Sequence, residues 1–103
     1  VEERKTYPQS IEFNETLYTS ILIDQHYKEK HPDISDELIL AMLNLVIHKS
    51  KHDPESEADH SGFQYFRIEP IEFQDNPYRL ILVTCRGENF LGVVNAFRVE
   101  KKK

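Results

Sequence analysis

The chain has 103 residues, a net charge of -5, and 39% hydrophobic and 11% aromatic side chains, enough for one modest core and too short for two. A mean hydropathy of -0.59 and the lack of any run near the ~20 apolar residues of a membrane helix set the expectation of a membrane-free protein. The N-terminal VEERKTYPQS lacks the apolar segment of a signal peptide, and one cysteine, Cys85, forms no internal disulfide; together they point to the reducing cytoplasm.

Residues 1–10 read as a loosely ordered arm of a single domain spanning 1–103. From Asn14, a candidate N-cap, the residues Leu17, Tyr18, Ile21, Leu22 and Tyr27 recur at spacings of three and four, which predicts a first helix. His31-Pro32 ends it, because the residue before proline avoids helical geometry. Asp33 or Ser35 then caps a second helix running to about Ser50, with the stripe Leu38, Ile39, Met42, Leu43, Val46 and Ile47. Asp36 and Glu37 in its first turn, and His48, Lys49 and Lys51 near its end, suit the helix dipole. The polar stretch SKHDPESEADHSG has no periodicity and reads as a mobile loop over 50–61.

Strands follow. GFQYFRIEPIEF is interrupted by Pro70, which marks an edge strand or a bulge. QDNP turns the chain into 78–85, and RGEN turns it into 90–99, with Gly87 as the first central residue of a type II′ hairpin. The predicted order is ααβββ: an α+β domain with two N-terminal helices packed on one face of an antiparallel meander.

That hairpin register pairs Cys85 with Phe90 and continues to Arg79 opposite Ala96. Arg79 and Arg98 then become diagonal neighbours on one face, roughly 7–8 Å apart. The other face, with Tyr78, Leu80, Leu82, Leu91, Val93, Phe97 and Val99, is bulkier and is expected to receive the helices. Two arginines side by side form a fork for an anion such as phosphate, unless Glu69, Glu72 or a helix carboxylate pairs with them.

Charge is unevenly spread: residues 1–61 hold 6 Lys and Arg against 13 Asp and Glu, and residues 62–103 hold 7 against 5. Overall acidity argues against non-specific nucleic-acid binding but leaves room for a local basic site. His48 and His52 are four apart, as metal ligands can be, yet no third ligand has a recognisable spacing, so no metal is assigned. His26 is a candidate acid or base, since imidazole titrates near neutrality. Cys85 lacks a signalled base and reads as a small buried hydrophobe. With Gly62, Gly87 and Gly92 as its glycines, the chain has no phosphate loop and no nucleotide cofactor is expected.

A helical N-terminal half, a meander with arginines on its open face, and a last strand VVNAFRVEKKK resemble the RelE-type toxins and the wider barnase–EndoU–colicin–RelE group. In many of these the final strand closes on an aromatic-arginine pair and lysines, as Phe97-Arg98 and Lys101–Lys103 do here. The stretch DQHYKEKHPDISDELILAML is also similar to a related branch, in which a histidine on the first helix precedes an Ile-Ser/Thr-acid start to the second. His26 and Ile34-Ser35-Asp36 match it. The resemblance covers roughly residues 17–101. It implies a small bacterial ribonuclease of a toxin–antitoxin or toxin–immunity system, cutting RNA without a cofactor and held by an antitoxin or immunity protein. RelE-type toxins are usually basic, however, whereas this chain is acidic and has the acidic 53–59 segment where they carry lysines.

Two functions follow. In the first, a metal-independent ribonuclease uses Arg79 and Arg98 to bind the scissile phosphate and stabilise its developing charge. His26, Tyr65 or His60 moves the proton, and Arg67, His60 and Lys101 hold the RNA. In the second, a non-enzymatic module docks a protein partner on its acidic helices or on the open sheet face.

Overall fold

The last strand of the chain lies at the centre of the main sheet. In the computed structural model, which describes residues 4–45, 47, 51–55 and 62–99, seven strands and two short helices follow in the order β1 (Arg4–Tyr7), β2 (Ile11–Phe13), β3 (Thr16–Tyr18), β4 (Ser20–Asp24), α1 (Tyr27–Lys30), α2 (Asp36–Leu45), β5 (Phe63–Phe73), β6 (Asn76–Cys85) and β7 (Phe90–Arg98). Five strands form one sheet in the order β1-β4-β7-β6-β5, and β2-β3 form a separate hairpin. β4 runs parallel to β7, while the other pairs are antiparallel. No helix among the described residues is long and apolar enough to cross a membrane.

This corrects the expected architecture. The domain is α+β but mostly sheet, the sheet is mixed, and the helices follow four strands instead of opening the chain. The predicted first helix is β3, β4 and the single turn α1. Asn14 is not a helix cap: Asn14 and Glu15 have φ of 51° and 66°, so they form the two-residue left-handed turn that joins β2 to β3. The apolar spacing of three and four in this stretch is coincidental. What decides the conformation is the alternation in Ser20–Asp24, where Ile21 and Ile23 are fully buried and Leu22 and Asp24 turn to the other side. The N-terminal arm supplies β1, which pairs Arg4–Tyr7 with β4.

The second helix keeps its predicted start. The Ser35 hydroxyl accepts a hydrogen bond from the Leu38 amide at 3.1 Å, which is the N-cap geometry. The described residues of the helix are Asp36–Leu45; Val46, His48, Lys49 and Ser50 lie outside the described residues. Its buried side, Ile39, Met42 and Leu43, packs with Ile11 and Phe13 of the β2-β3 hairpin over Tyr78, Leu80, Leu82, Leu91 and Val93 of the sheet. Those five are among the seven sheet residues assigned to the covered face from the hairpin register; Phe97 and Val99 are not in the core. Above them the register changes: a bulge falls between Ile81 and Leu82, so Leu80 pairs with Ala96 and Arg79 with Phe97. Ala96, not Phe97, therefore enters the core. Pro70 sits at a second irregularity, between Ile68 and Ile71 of edge strand β5, in line with its inability to donate to a ladder.

One buried charge ties the layers together. The carboxylate of Asp36, the first residue of α2, accepts hydrogen bonds from Tyr27 Oη at 2.5 Å, Tyr7 Oη at 2.6 Å and Gln25 Nε2 at 3.1 Å. Burial alone would raise its pKa, but these donors, led by Tyr27 and helped by the charge of Lys28, hold it below the ordinary carboxylate value. The hydrogen bond to Asp36, with burial and its negative charge, pushes the Tyr7 phenol up to about 12. Burial, followed by the same hydrogen bond and charge, also raises Tyr27.

Residues 51–55, part of the predicted mobile loop, are anchored at both ends. Asn14 exchanges two hydrogen bonds of 2.7 Å with the His52 backbone, the His52 ring stacks on Phe13, and the Glu55 amide donates to the Tyr65 carbonyl at 2.8 Å. The rest of that loop, residues 50 and 56–61, lies outside the described residues.

Three outcomes test this architecture. Leu82→Ala removes a fully buried side chain and should destabilise the fold by about 2–5 kcal/mol in chemical denaturation; an unchanged midpoint would refute the face assignment. Asp36→Ala, which strands the buried Tyr27 hydroxyl and the half-buried donors of Tyr7 and Gln25, should destabilise by about 3 kcal/mol. Because the Asp36 pKa is lowered on folding, its contribution is present above the unfolded value of about 4 and fades as pH falls through the folded value. Because the tyrosine pKa values are raised, their contribution holds below about pH 10 and fades as pH rises through the folded values. Stability measured against pH should show both limbs, and Asp36→Asn should reduce the acid one.

Candidate functional site

Alternation along each strand decides which side chains face away from the helices. On β5, Phe66 turns into the core, so Phe63, Tyr65, Arg67 and Glu69 turn outward. Cross-strand register extends these positions into rows. Tyr65 lies beside Val83, Val83 beside Gly92 and Gly92 beside Leu22; Phe63 lies beside Cys85. The outward face is therefore apolar through its middle. A groove of about 260 Å³ runs over Gly92 between Leu22, Phe63, Tyr65, Phe90 and Val94, with Arg4 and Asp24 at its end. Gly92 is required there, because a Cβ would come within 2.6 Å of Val83 Cγ1. Phe63, Tyr65 and Val94 are 38%, 42% and 37% exposed.

The expected arginine fork is not formed. The bulge in β7 places Arg79 opposite Phe97 and Arg98 opposite Tyr78. Opposed residues share a face, so the two arginines project on opposite sides of the sheet. Arg79 is engaged: its Nε donates to Glu69 Oε2, and its guanidinium lies 4.9 Å from the centre of the Phe97 ring, a favourable cation–π distance. Phe97 also stacks against His31 at 5.2 Å. Arg67 lies 3.7 Å from both Glu55 and Glu69. Arg98 is exposed at the strand end.

Of the remaining predicted site residues, Tyr65 belongs to the groove, and His26 is bonded to a residue that lines it. Tyr65 lines it directly. His26 precedes α1, and its Nδ1 is 2.7 Å from Oδ1 of Asp24, which itself lines the groove. His60 and Lys101 lie outside the described residues, as does His48. His52 is drawn away from any metal role by its stacking on Phe13 and its contact with the Ile47 carbonyl at 3.1 Å. No three His, Cys, Asp or Glu side chains among the described residues converge for a metal ion.

A second depression, near 460 Å³, is lined by Lys5, Tyr7, Lys28, Ser35, Asp36 and Glu37. Its buried carboxylate is already used: both oxygens of Asp36 accept from Tyr7, Tyr27 and Gln25, which makes it a structural centre and a poor ligand site. Sequence reasoning missed this cluster because residues 7, 25, 27 and 36 share no local spacing. It also missed the groove, although one signal was present: Leu80, Ile81, Leu82 and Val83 run apolar on both faces of a strand, which a sheet with one wet face does not require.

With the geometry of the face in hand, comparison with known proteins adds no relative: no family model matches the chain, and no curated protein or solved structure matches it.

Proposed function

We propose that the protein is a non-enzymatic interaction module that recognises a protein partner through the open face of its sheet. The observation that carries this reading is the state of the arginines. A phosphate-clamping pair must share a face and present free donors, whereas Arg79 is bonded to Glu69 and stacked on Phe97, and Arg98 lies across the sheet. The carboxylates that surround Arg67 and Arg79 also lower the positive potential on which RNA binding depends. The apolar middle of the face supplies what a protein contact needs instead: aromatic side chains with large removable area next to charged groups at the margin.

The metal-independent ribonuclease is the second reading, favoured by one observation. Tyr65 and the Asp24 carboxylate that holds His26 line the same groove, an arrangement in which imidazole and phenol could move protons.

The two readings part on the arginines. RNA cleavage by the wild type, Arg79→Ala and Arg98→Ala should be measured with thermal melts alongside. The module reading expects no cleavage by any of them, a loss of about 1 kcal/mol for Arg79→Ala from its ion pair and ring contact, and no loss for Arg98→Ala. Cleavage by the wild type that vanishes in either variant at unchanged melting temperature would overturn the module in favour of the nuclease.

A further inference from the structure

The groove on the open face ends in two opposite charges. Arg4 opens β1 and Asp24 closes β4, and the two lie opposite each other in that antiparallel ladder. Their side chains therefore leave the same face, with Cβ atoms about 5 Å apart, and both line the groove. Among the described residues no ion pair joins them, and the Arg4 guanidinium meets no other carboxylate. Oδ1 of Asp24 accepts from the His26 amide at 2.9 Å and lies 2.7 Å from the His26 ring nitrogen. Those contacts hold the carboxylate in place and leave Oδ2 without a bonded partner among the described residues.

Away from the charges the groove is apolar. Leu22 precedes Asp24 by two residues on the same face, about 7 Å away along the strand, and lies beside Gly92 of β7. The absence of a side chain at Gly92 keeps the floor low, and Tyr65, Val83, Phe90 and Val94 stand around it. The span from charges to floor is about the reach of an aromatic or long branched side chain. At about 260 Å³ the groove is smaller than the ~300 Å³ at which drug-sized sites begin, so its occupant is a small molecule. Charge decides the class. A simple anion on Arg4 is repelled by Asp24, a simple cation on Asp24 is repelled by Arg4, and a neutral apolar molecule leaves both charges unused. A molecule that carries a carboxylate, an ammonium and an apolar branch on one carbon satisfies all three parts of the groove.

We propose that the groove is a binding site for a free amino acid with a large apolar side chain. The α-carboxylate meets the Arg4 guanidinium, whose parallel donors suit it, the α-ammonium meets Oδ2 of Asp24, and the side chain lies over Gly92. The groove is open to solvent along one side, which sets the dissociation constant on the order of 1 mM. This goes beyond the interaction-module reading and does not rest on it, since it adds a small-molecule site to the same face.

Titration of the isotope-labelled full chain with L-phenylalanine to about 10 mM, followed through its amide NMR shifts, tests the site. Saturable shifts should gather at Leu22, Asp24, Gly92 and Val94 and spare Leu80, which is buried under the helices. Three analogues each delete one contact. Glycine, without the apolar branch, should bind at least about tenfold more weakly. Phenylpropanoate, without the ammonium, and phenylethylamine, without the carboxylate, should each lose at least about threefold. Arg4→Gln should weaken L-phenylalanine and phenylpropanoate by about threefold or more without weakening phenylethylamine, and Asp24→Asn should weaken L-phenylalanine and phenylethylamine without weakening phenylpropanoate. Thermal melts of both variants should match the wild type; should either fail to fold, the analogues still read both charges on the wild type. No saturable shift, glycine binding as well as L-phenylalanine, or an affinity indifferent to both charges would overturn the proposal. A chain that binds no amino acid leaves the module reading as it stands. RNA cleavage that needs Arg79 or Arg98 would remove the module reading and leave the amino-acid site to be decided by the titration.

Discussion

The carboxylate of Asp36 is the interaction on which the layering of this protein depends. It begins α2, yet its donors come from β1, from the end of β4 and from α1. β1 and β4 also share a ladder, but it is the carboxylate that joins them to both helices. β1 is a four-residue edge strand and α1 a single turn, both too short to hold their places by intrinsic propensity. A buried charge tolerates no loss of partners, because an unpaired carboxylate away from water is far less stable than a hydrogen-bonded one. The short elements are thereby fixed at defined positions relative to α2, and α2 in turn covers the sheet.

Covering one face defines the other. The strands under α2 bury Leu80, Leu82, Leu91 and Val93, and their outward neighbours, Ile81, Val83 and Leu22, are apolar as well. At the top of the sheet the bulge in β7 alters this sorting by one residue. It directs Ala96 to the tight space near the helices and turns Phe97 out to meet His31 and Arg79. A bulge thus converts what would have been a pair of free guanidinium groups into one structural arginine and one isolated on the far side, which is why the site resembles a protein-contact surface more than an anion-binding one.

How much of this was legible depended on whether the signal was local. Ser35 as a helix cap, the apolar side of β6, the irregularity at Pro70 and the turns at Gln74-Asp75 and Gly87 could all be read, because each is decided by a few neighbouring residues. Even there the detail shifted: Gly87, with φ of 82°, is the third residue of a turn closed by the Glu88 amide on the Cys85 carbonyl at 3.0 Å, and not the first central residue of a two-residue loop. The helix expected over 14–31 failed because helical spacing and strand alternation coincide in TLYTSILID, and the pairing of β4 with both β1 and β7 decided between them. The bulge was invisible for a similar reason, since no glycine or proline announces it. Of the candidate site, Tyr65 lines the groove and His26 touches only Asp24 of its lining, whereas Arg79 and Arg98 were separated by that single unannounced residue.

The position of β7 has a consequence for how the chain reaches its native state. It is the last of the seven strands in sequence, yet in space it is the middle one, parallel to β4 and antiparallel to β6. During synthesis, β1 and β4 can pair with each other and β5 with β6, but among the described residues these two strand pairs share no ladder until β7 arrives between them. Before then each half exposes an unsatisfied apolar edge, the kind of edge that joins to other chains. Assembly is consequently all-or-none and governed by contacts distant in sequence, which slows folding relative to a meander built in order. A ribosome-bound chain that has not yet released β7 is therefore the species most in need of a chaperone.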